Sequence, residues 1–445
     1  MSPDATGGPV VPTHRRMLAI ALPMTLSHVT TPLLGLVDAT VIGRLGEAHL
    51  LGAVALGAVI FDFLFWSFGA LRMGTAGLTA QAVGAGDRAE IDRALARALL
   101  VGLAAGLLIL LLQWPIRFVA FELSGASEAV LGALAVYFGI RIWAAPVTLA
   151  NYAAFGSIVG RGRTDLGFLV QIGINLGNIA LTLAFVVGLE MGVAGAAFGT
   201  VLAEIVGLVL GLLVLRRLGS RPWAVPLTEI VQREAMTRTL AVNRDIMIRT
   251  VALLAAFAIF TGYGARSGDV TLAANAVLYN MFLVGGYFLD GFATAAETLC
   301  GQAIGARRED AFRRAVALSL MWSLGFGAGL SLVFFAGGGA FVDFVSTNPE
   351  VRSFARDFIA FAALTPLMGA AAFAYDGIYI GATWTRAMRD LMLVGLAVFA
   401  LALWATAGLG NAALWTAFLV FLGARGLGQA ALYPRLRRQT FSARS

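Results

Sequence analysis

The sequence contains one cysteine, three histidines and no lysine, and it has few charged residues of either sign. A single cysteine, Cys300, excludes a disulfide framework and a four-cysteine metal site. The histidines are too few and too scattered for a metal-ligand motif, so we expect no metal centre. Charged residues make up 13% of the 445 positions, whereas soluble domains carry roughly 25%. This shortage, with a mean hydropathy of +0.84, predicts a polytopic membrane protein.

The net charge of +7 comes from arginines that gather in alternate loops. Because positive residues concentrate on the cytoplasmic side of membrane proteins, these arginines indicate topology and not nucleic-acid binding. The arginine-rich set includes the two ends of the chain and the long segment 216–239. We therefore expect both termini and this segment to be cytoplasmic.

Hydrophobic stretches between charged or Gly/Pro breaks predict twelve membrane-spanning helices, each near or above the ~20 residues that a bilayer requires. They are predicted at 17–43, 52–80, 94–116, 128–157, 166–189, 192–215, 240–262, 271–300, 313–337, 354–381, 390–407 and 411–433. An even number of helices agrees with two termini on the same side.

The two halves of the chain repeat each other. The segment QAVGA at Gln81 recurs as QAIGA at Gln302, 221 positions later, and Pro146 and Pro366 recur at a spacing of 220. Two six-helix units insert with the same orientation, so the fold class is an all-α bundle of two parallel six-helix lobes. The predicted domains are an N-lobe at 1–215, a cytoplasmic connector at 216–239 and a C-lobe at 240–445.

The first predicted helix is the most unusual part of the sequence. The stretch LPMTLSHVTTPLLGLVDATVIG (Leu22 to Gly43) contains an acid, Asp38, and an internal proline, Pro32. A carboxyl inside a spanning helix costs roughly 2.5–3.5 kcal/mol, which is typical of a functional group. Pro32 removes a backbone donor and predicts a helix hinge near that acid. The alternative is that Asp38 lies at the helix end and meets lipid headgroups.

Three motifs, LPMTLSHVTTPLLGLVDATVIGRLG, LRMGTAGLTAQAVGAGD and YFLDGFATAAETLCGQAIGAR, resemble the multidrug and toxic compound extrusion (MATE) transporters, specifically the DinF-like branch. The resemblance extends from about Arg16 to Arg435. It implies two six-helix lobes around a V-shaped cavity and transport by alternating access. It also implies export of cationic amphipathic compounds, driven by proton or sodium entry.

The resemblance also implies a coupling site in the N-lobe. Asp38 matches the acid proposed in the family to bind the coupling ion, and Asn151 matches a polar position of the same cluster. Asn178 matches the asparagine of the family pattern Asn-Ile-x-Leu-Asp, in which Thr182 here replaces the acid. Because a hard cation requires several oxygen ligands with matching charge, this replacement favours a proton over sodium.

Further acids lie inside the predicted spans. They are possible cavity groups suited to cations, and they are Asp376, Glu297, Asp290 and Glu204. The alternative is that these acids hydrogen-bond to arginines such as Arg141 and Arg249 and only hold helices together.

We interpret the sequence as that of a proton-coupled exporter of small organic cations or amphipathic drugs in the bacterial cytoplasmic (inner) membrane. It has no nucleotide-binding GxxxxGK[ST] loop and no nucleophile–base trio, so we expect neither ATP hydrolysis nor another enzymatic activity. We expect a monomer surrounded by membrane lipids, without a cofactor other than the coupling ion. An alternative function is a flippase or exporter of lipid-linked or amphipathic metabolites. That function would favour an arginine-lined cavity, for which Arg72, Arg141 and Arg249 are candidates.

Overall fold

The computed structural model describes residues 11–44 and 46–442, without the side chains of residues 31–36, 38 and 39. Within these ranges every regular element is helical. The predicted all-α class is therefore confirmed.

Twelve long helices account for most of the described chain. They are α1 His14–Gly43, α2 Ala48–Gly84, α3 Arg88–Leu111, α4 Glu128–Gly160, α5 Thr164–Gly188, α6 Gly192–Arg217, α7 Arg233–Arg266, α8 Asp269–Gly305, α9 Glu309–Val345, α10 Pro349–Gly381, α11 Thr385–Ala405 and α12 Asn411–Ser442. Ten of these described helices, α2 to α11, are long and apolar enough to cross a membrane. The predicted polytopic arrangement of twelve helices is confirmed.

Several helices begin earlier than their hydrophobic spans because polar caps extend them. The side chain of Asp87 accepts a hydrogen bond from the Glu90 amide at 2.9 Å at the start of α3. Asn348 does the same for the amides of Glu350 and Val351 at the start of α10. Such caps satisfy amides that the first helical turn leaves without partners. The structured helix therefore continues past the apolar segment that hydropathy detects.

The chain divides into two compact units, which we call the N-unit and the C-unit. The N-unit comprises Leu26–Val83 and Asp87–Asn243. The C-unit comprises the described residues up to Thr25, Gly84–Gly86 and the residues from Arg244 to Ser442. The predicted domain boundaries at 215 and 240 stay a prediction.

Aromatic packing forms the core of the C-unit. The Phe418 ring meets Phe282 at a centroid distance of 4.9 Å and Phe260 at 5.1 Å. Phe260 also meets Trp415 edge to face at 5.0 Å. Edge-to-face and tilted pairs at these distances add stability beyond the area that they bury. These ring contacts pack α7, α8 and α12 against one another.

In the N-unit, α2 and α4 touch through glycines. A Cβ atom on Gly156 would lie 2.4 Å from the backbone oxygen of Arg72, and one on Gly160 would lie 2.4 Å from that of Ala76. A real Cβ does not approach an oxygen so closely. Glycine is therefore required at both positions for this helix spacing, as in membrane helix pairs built on small residues.

The C-unit reproduces these contacts 221 positions later. A Cβ atom on Gly377 would lie 2.0 Å from the backbone oxygen of Ala293, and one on Gly381 would lie 2.2 Å from that of Glu297. In each unit the glycines belong to the fourth helix of the repeat and the oxygens to the second. The repeat seen in the sequence therefore has a physical counterpart in helix packing.

The connector 216–239 lies against the beginning of α3. Ser220 donates a hydrogen bond to Asp92 at 2.6 Å, and the Arg221 amide donates to the same carboxylate at 3.1 Å. Arg161 in turn donates to the Ser220 hydroxyl. Burial lowers the pKa of Arg161, and the charge of Asp92 partly opposes that shift. The connector is thus anchored within the N-unit and Ser220 is buried.

The predicted orientation can be tested with single cysteines on a Cys300→Ala background. Thr228 in the connector and Thr347 between α9 and α10 are both exposed. An impermeant maleimide should label Thr347→Cys in intact cells and Thr228→Cys only after permeabilisation, because connector arginines belong on the cytoplasmic side. Ser220→Cys is the buried control and should resist labelling in both cases. The opposite labelling pattern would reverse the topology.

Candidate functional site

The first helix contains the predicted coupling acid and hinge. The backbone of α1 is helical from His14 to Gly43, but the side chains of Asp38 and Pro32 lie outside the described residues. Their roles stay predictions. Nearby in α1, the Thr30 hydroxyl accepts a hydrogen bond from Asn175 of α5 at 3.2 Å.

The matched residues of α5 form a polar junction with α6. The Asn178 amide donates to the Thr200 hydroxyl at 3.0 Å, and the Thr182 hydroxyl donates to the Asn178 carbonyl oxygen at 3.4 Å. Asn178 and Thr182 are buried. The structure thus brings together two of the predicted site residues and adds Thr200, which the sequence reasoning missed. All three groups are uncharged.

Asn151 and Glu204 meet between α4 and α6. The Asn151 amide donates to the Glu204 carboxylate at 2.7 Å and to the Glu204 backbone oxygen at 2.9 Å. Thr200 and Glu204 are four residues apart on α6, so they lie on the same helix face. The two polar groups therefore line neighbouring turns of one face of α6.

Arg141 of α4 lies beside Glu204. An Nη of Arg141 is 3.8 Å from a Glu204 carboxylate oxygen. The Arg141 guanidinium also lies over the rings of Phe61 and Phe65, at 5.6 and 5.3 Å from their centroids. These rings come from α2. Guanidinium groups within about 6 Å of an aromatic face gain electrostatic stabilisation from it.

Four charged side chains of the N-unit interact electrostatically with the Tyr152 hydroxyl of α4. They are Glu204, Arg72, Arg141 and Asp62. The set contains two carboxylates and two guanidinium groups from three helices. Asp62 and Arg72, both on α2, belong to this electrostatic cluster.

In the C-unit, Asp376 is surrounded by donors. Its carboxylate accepts hydrogen bonds from Arg249, from Arg425 at 2.7 Å and from Gln429 at 2.7 Å. All four residues are buried. They connect α7, α10 and α12. Of the two alternatives for Asp376, the observed contacts are those of an acid that holds helices together.

The remaining predicted acids belong to α8. Asp290 interacts electrostatically with Arg425 of the Asp376 group. Glu297 is buried, and its backbone oxygen meets Gly381 of α10.

The sequence analysis did not identify Arg425 and Gln429 as members of the Asp376 group. The signal for Arg425 was a charge within an otherwise apolar span. Across the described residues, no group of three or more His, Cys, Asp or Glu side chains could hold a metal ion.

The MatE family model matches residues 23–184 and 246–406, one match in each half of the chain. This protein belongs to the MatE family. One match extends from within α1 into α5 and the other from within α7 through α11, and this family consists of membrane transporters. The chain is therefore a multi-pass membrane protein of a transporter family and not of a family of enzymes.

Related proteins agree with this assignment. The chain is 40% identical to DNA damage-inducible protein F of Escherichia coli (strain K12) over 94% of its own length and 91% of that protein. It is 23% identical to the multidrug export protein MepA of Staphylococcus aureus (strain NCTC 8325 / PS 47) over 44% of its length and 43% of that protein.

Solved structures share the fold. A MATE protein in a bent conformation matches with a TM-score of 0.87 at 16% identity, covering 96% of this chain and 97% of the other. An outward-facing multidrug resistance MATE family transporter of the MOP superfamily matches with a TM-score of 0.83 at 19% identity, covering 96% of each. At these identities the likeness concerns the fold.

Proposed function

We propose that this MATE-family protein exports organic cations and amphipathic drugs by antiport with protons. Its family, and a relative named as a multidrug export protein, support the substrate class. The proposed location is the bacterial cytoplasmic membrane, with both termini inside and the protein acting as a monomer by alternating access.

The observation that carries the choice of a proton is the junction of α5 and α6. Asn178 and Thr182 hydrogen-bond to each other, and Asn178 also bonds to Thr200. Their oxygens are neutral and already have partners. A sodium ion would need several oxygen ligands with compensating charge, whereas a proton needs a single carboxyl. Asp38 is the carboxyl that we propose for this role.

Transport by purified protein in liposomes tests the proposal. An inward-directed proton gradient should drive efflux of ethidium, a fluorescent organic cation, and a sodium gradient alone should not. Asp38→Asn should reduce proton-driven efflux to the level of protein-free liposomes, because an amide resembles the protonated acid permanently.

Two control variants accompany this measurement. Asp38→Glu keeps a titratable group and should retain part of the activity. Asp165→Asn removes an exposed carboxylate at the start of α5, where it pairs with Arg163, and should transport like the parent. Parent-rate, proton-driven efflux by Asp38→Asn would remove Asp38 from the mechanism.

A second candidate function is the movement of lipid-linked or amphipathic metabolites with anionic groups. Arg141 favours it, because its Nη1 is buried and finds no hydrogen-bond partner among the described residues, and guanidinium groups bind phosphate strongly. In the C-unit, Arg249 and Arg425 also keep a buried Nε without a partner among the described residues, but both donate to the Asp376 carboxylate. Gradient-dependent movement of a fluorescent phosphate-bearing lipid, with no ethidium efflux, would favour this candidate over drug export.

A further inference from the structure

A carboxylate that the proposed transport cycle does not use lies within the apolar part of α2. Asp62 is the one charged residue among positions 50–71, a stretch long enough to cross the hydrocarbon core. Asp62 is nevertheless exposed. Ionisable groups inside spanning helices almost always face the bundle interior or a water-filled cavity, because contact with lipid is costly. The position of Asp62 therefore indicates access to water inside the membrane.

Asp62 also lacks the direct partners that other acids of the spanning helices have. Glu204 accepts a hydrogen bond from Asn151, and Asp376 accepts hydrogen bonds from two arginines and a glutamine. Among the described residues Asp62 has no hydrogen bond or ion pair, and its interaction with Arg141 is electrostatic only. Both carboxylate oxygens of Asp62 are therefore available to a ligand.

The guanidinium group of Arg141 is directed to other partners. It lies over the rings of Phe61 and Phe65, and an Nη is 3.8 Å from Glu204. Positions 62 and 65 are neighbours on the surface of α2, so Asp62 lies at the border between the ring face beneath Arg141 and the exposed face. Because Arg141 is buried and Asp62 is exposed, the accessible charge at this border is negative.

The exposed face of α2 also carries aromatic rings next to Asp62. The side chains of Trp66 and Phe63 are 46% and 59% exposed. Trp66 follows Asp62 by four residues, so its indole ring and the carboxylate lie on one helix face, one turn apart. Tryptophan is the side chain whose ring attracts cations most strongly. A carboxylate and an indole side by side match a flat organic cation, which has both a positive charge and an aromatic body.

From this geometry we infer that Asp62 and Trp66 form a contact site for the organic cation in the N-unit. The Asp62 carboxylate faces the positive charge of the cation, and the Trp66 ring packs against its aromatic body. The charge of the bound cation in turn favours the ionised form of Asp62. This inference rests on the proposed export of organic cations, and it names two residues that recognise them.

Dye binding to the purified protein in detergent tests the role of charge. Proflavine is a cation at neutral pH, and acridine is its uncharged parent ring. Asp62→Asn should weaken proflavine binding about tenfold or more and leave acridine binding unchanged, because only the charged dye loses a contact with an ion. Trp66→Leu should weaken proflavine binding about two- to fivefold, the range of a cation over an exposed ring. Asp62→Glu should retain most of the affinity, and Asp165→Asn should match the parent.

Cysteine chemistry tests access to the same position on a Cys300→Ala background. Asp62→Cys should react with a charged, membrane-impermeant methanethiosulfonate, and proflavine should slow the reaction. Leu107→Cys, on the exposed apolar side of α3, is the lipid-facing control and should not react. Should Asp62→Asn not fold, the reaction of Asp62→Cys with and without proflavine decides the question.

The outcomes separate this inference from the proposed function. If Asp62→Cys does not react, Asp62 faces lipid and the inference fails. It also fails if Asp62→Asn binds proflavine like the parent, or if it binds both dyes more weakly by the same factor, since equal losses indicate a structural role. If the parent itself neither binds nor transports organic cations, the proposed function fails first.

Discussion

Asp376→Asn should remove most of the thermal stability of the C-unit. The substitution leaves the buried guanidinium groups of Arg249 and Arg425 without the carboxylate that both contact. Breaking a buried ion pair by removing one partner costs about 3–5 kcal/mol. Purified protein in detergent should therefore lose its monodisperse peak in size-exclusion chromatography at a much lower temperature than the parent.

A rescue variant separates charge from packing. Asp376→Asn combined with Arg249→Met removes one unmatched charge, and Asp290 still acts on the remaining Arg425. The double variant should recover part of the lost melting temperature, as expected for residues in one network. Asp310→Asn breaks an exposed pair with Arg308 and should change little, because solvent screens pairs at the surface. A parent-like melting temperature for Asp376→Asn would contradict the role assigned to the cluster.

The fold was predictable because its determinants are local in the sequence. Hydropathy specifies the helices without any knowledge of which helices touch. The offset between Gln81 and Gln302 even predicted the repeat that the glycine contacts display. Helix ends were less predictable, because caps such as Asp87 extend a helix beyond its apolar span.

The charge pairings were not predictable from the sequence alone. Asp376 and Arg249 are 127 positions apart, and Asn151 and Glu204 are 53 apart. Neither separation follows a helical period, so each pair depends on which helices become neighbours in three dimensions. The resemblance to the family supplied Asn178 and Thr182 directly. It supplied no partner for Glu204, since that partner emerges only from the contact of α4 with α6.

Gly377→Ala should strongly destabilise the protein. The new Cβ would lie 2.0 Å from the backbone oxygen of Ala293. A backbone atom cannot rotate away as a side chain can, so α8 and α10 must separate. Overpacking of a core typically costs 1–3 kcal/mol and occasionally more. Thermal denaturation in detergent should show a clear loss of melting temperature.

The repeat provides both a matched variant and matched controls. Gly156→Ala in the N-unit places its Cβ 2.4 Å from the Arg72 backbone oxygen. It should also lower the melting temperature, by somewhat less than Gly377→Ala does. Gly329 and Gly177 lie in helices and have no heavy atom within 4 Å of an added Cβ. Alanine there should be neutral or stabilising, since it exceeds glycine in helix propensity by up to about 1 kcal/mol. If Gly377→Ala melted at the same temperature as the Gly329→Ala control, the close approach of α8 and α10 would not be a determinant of stability. If only one of the two contacts proved sensitive, the repeated packing would be structurally present in both units but energetically important in one.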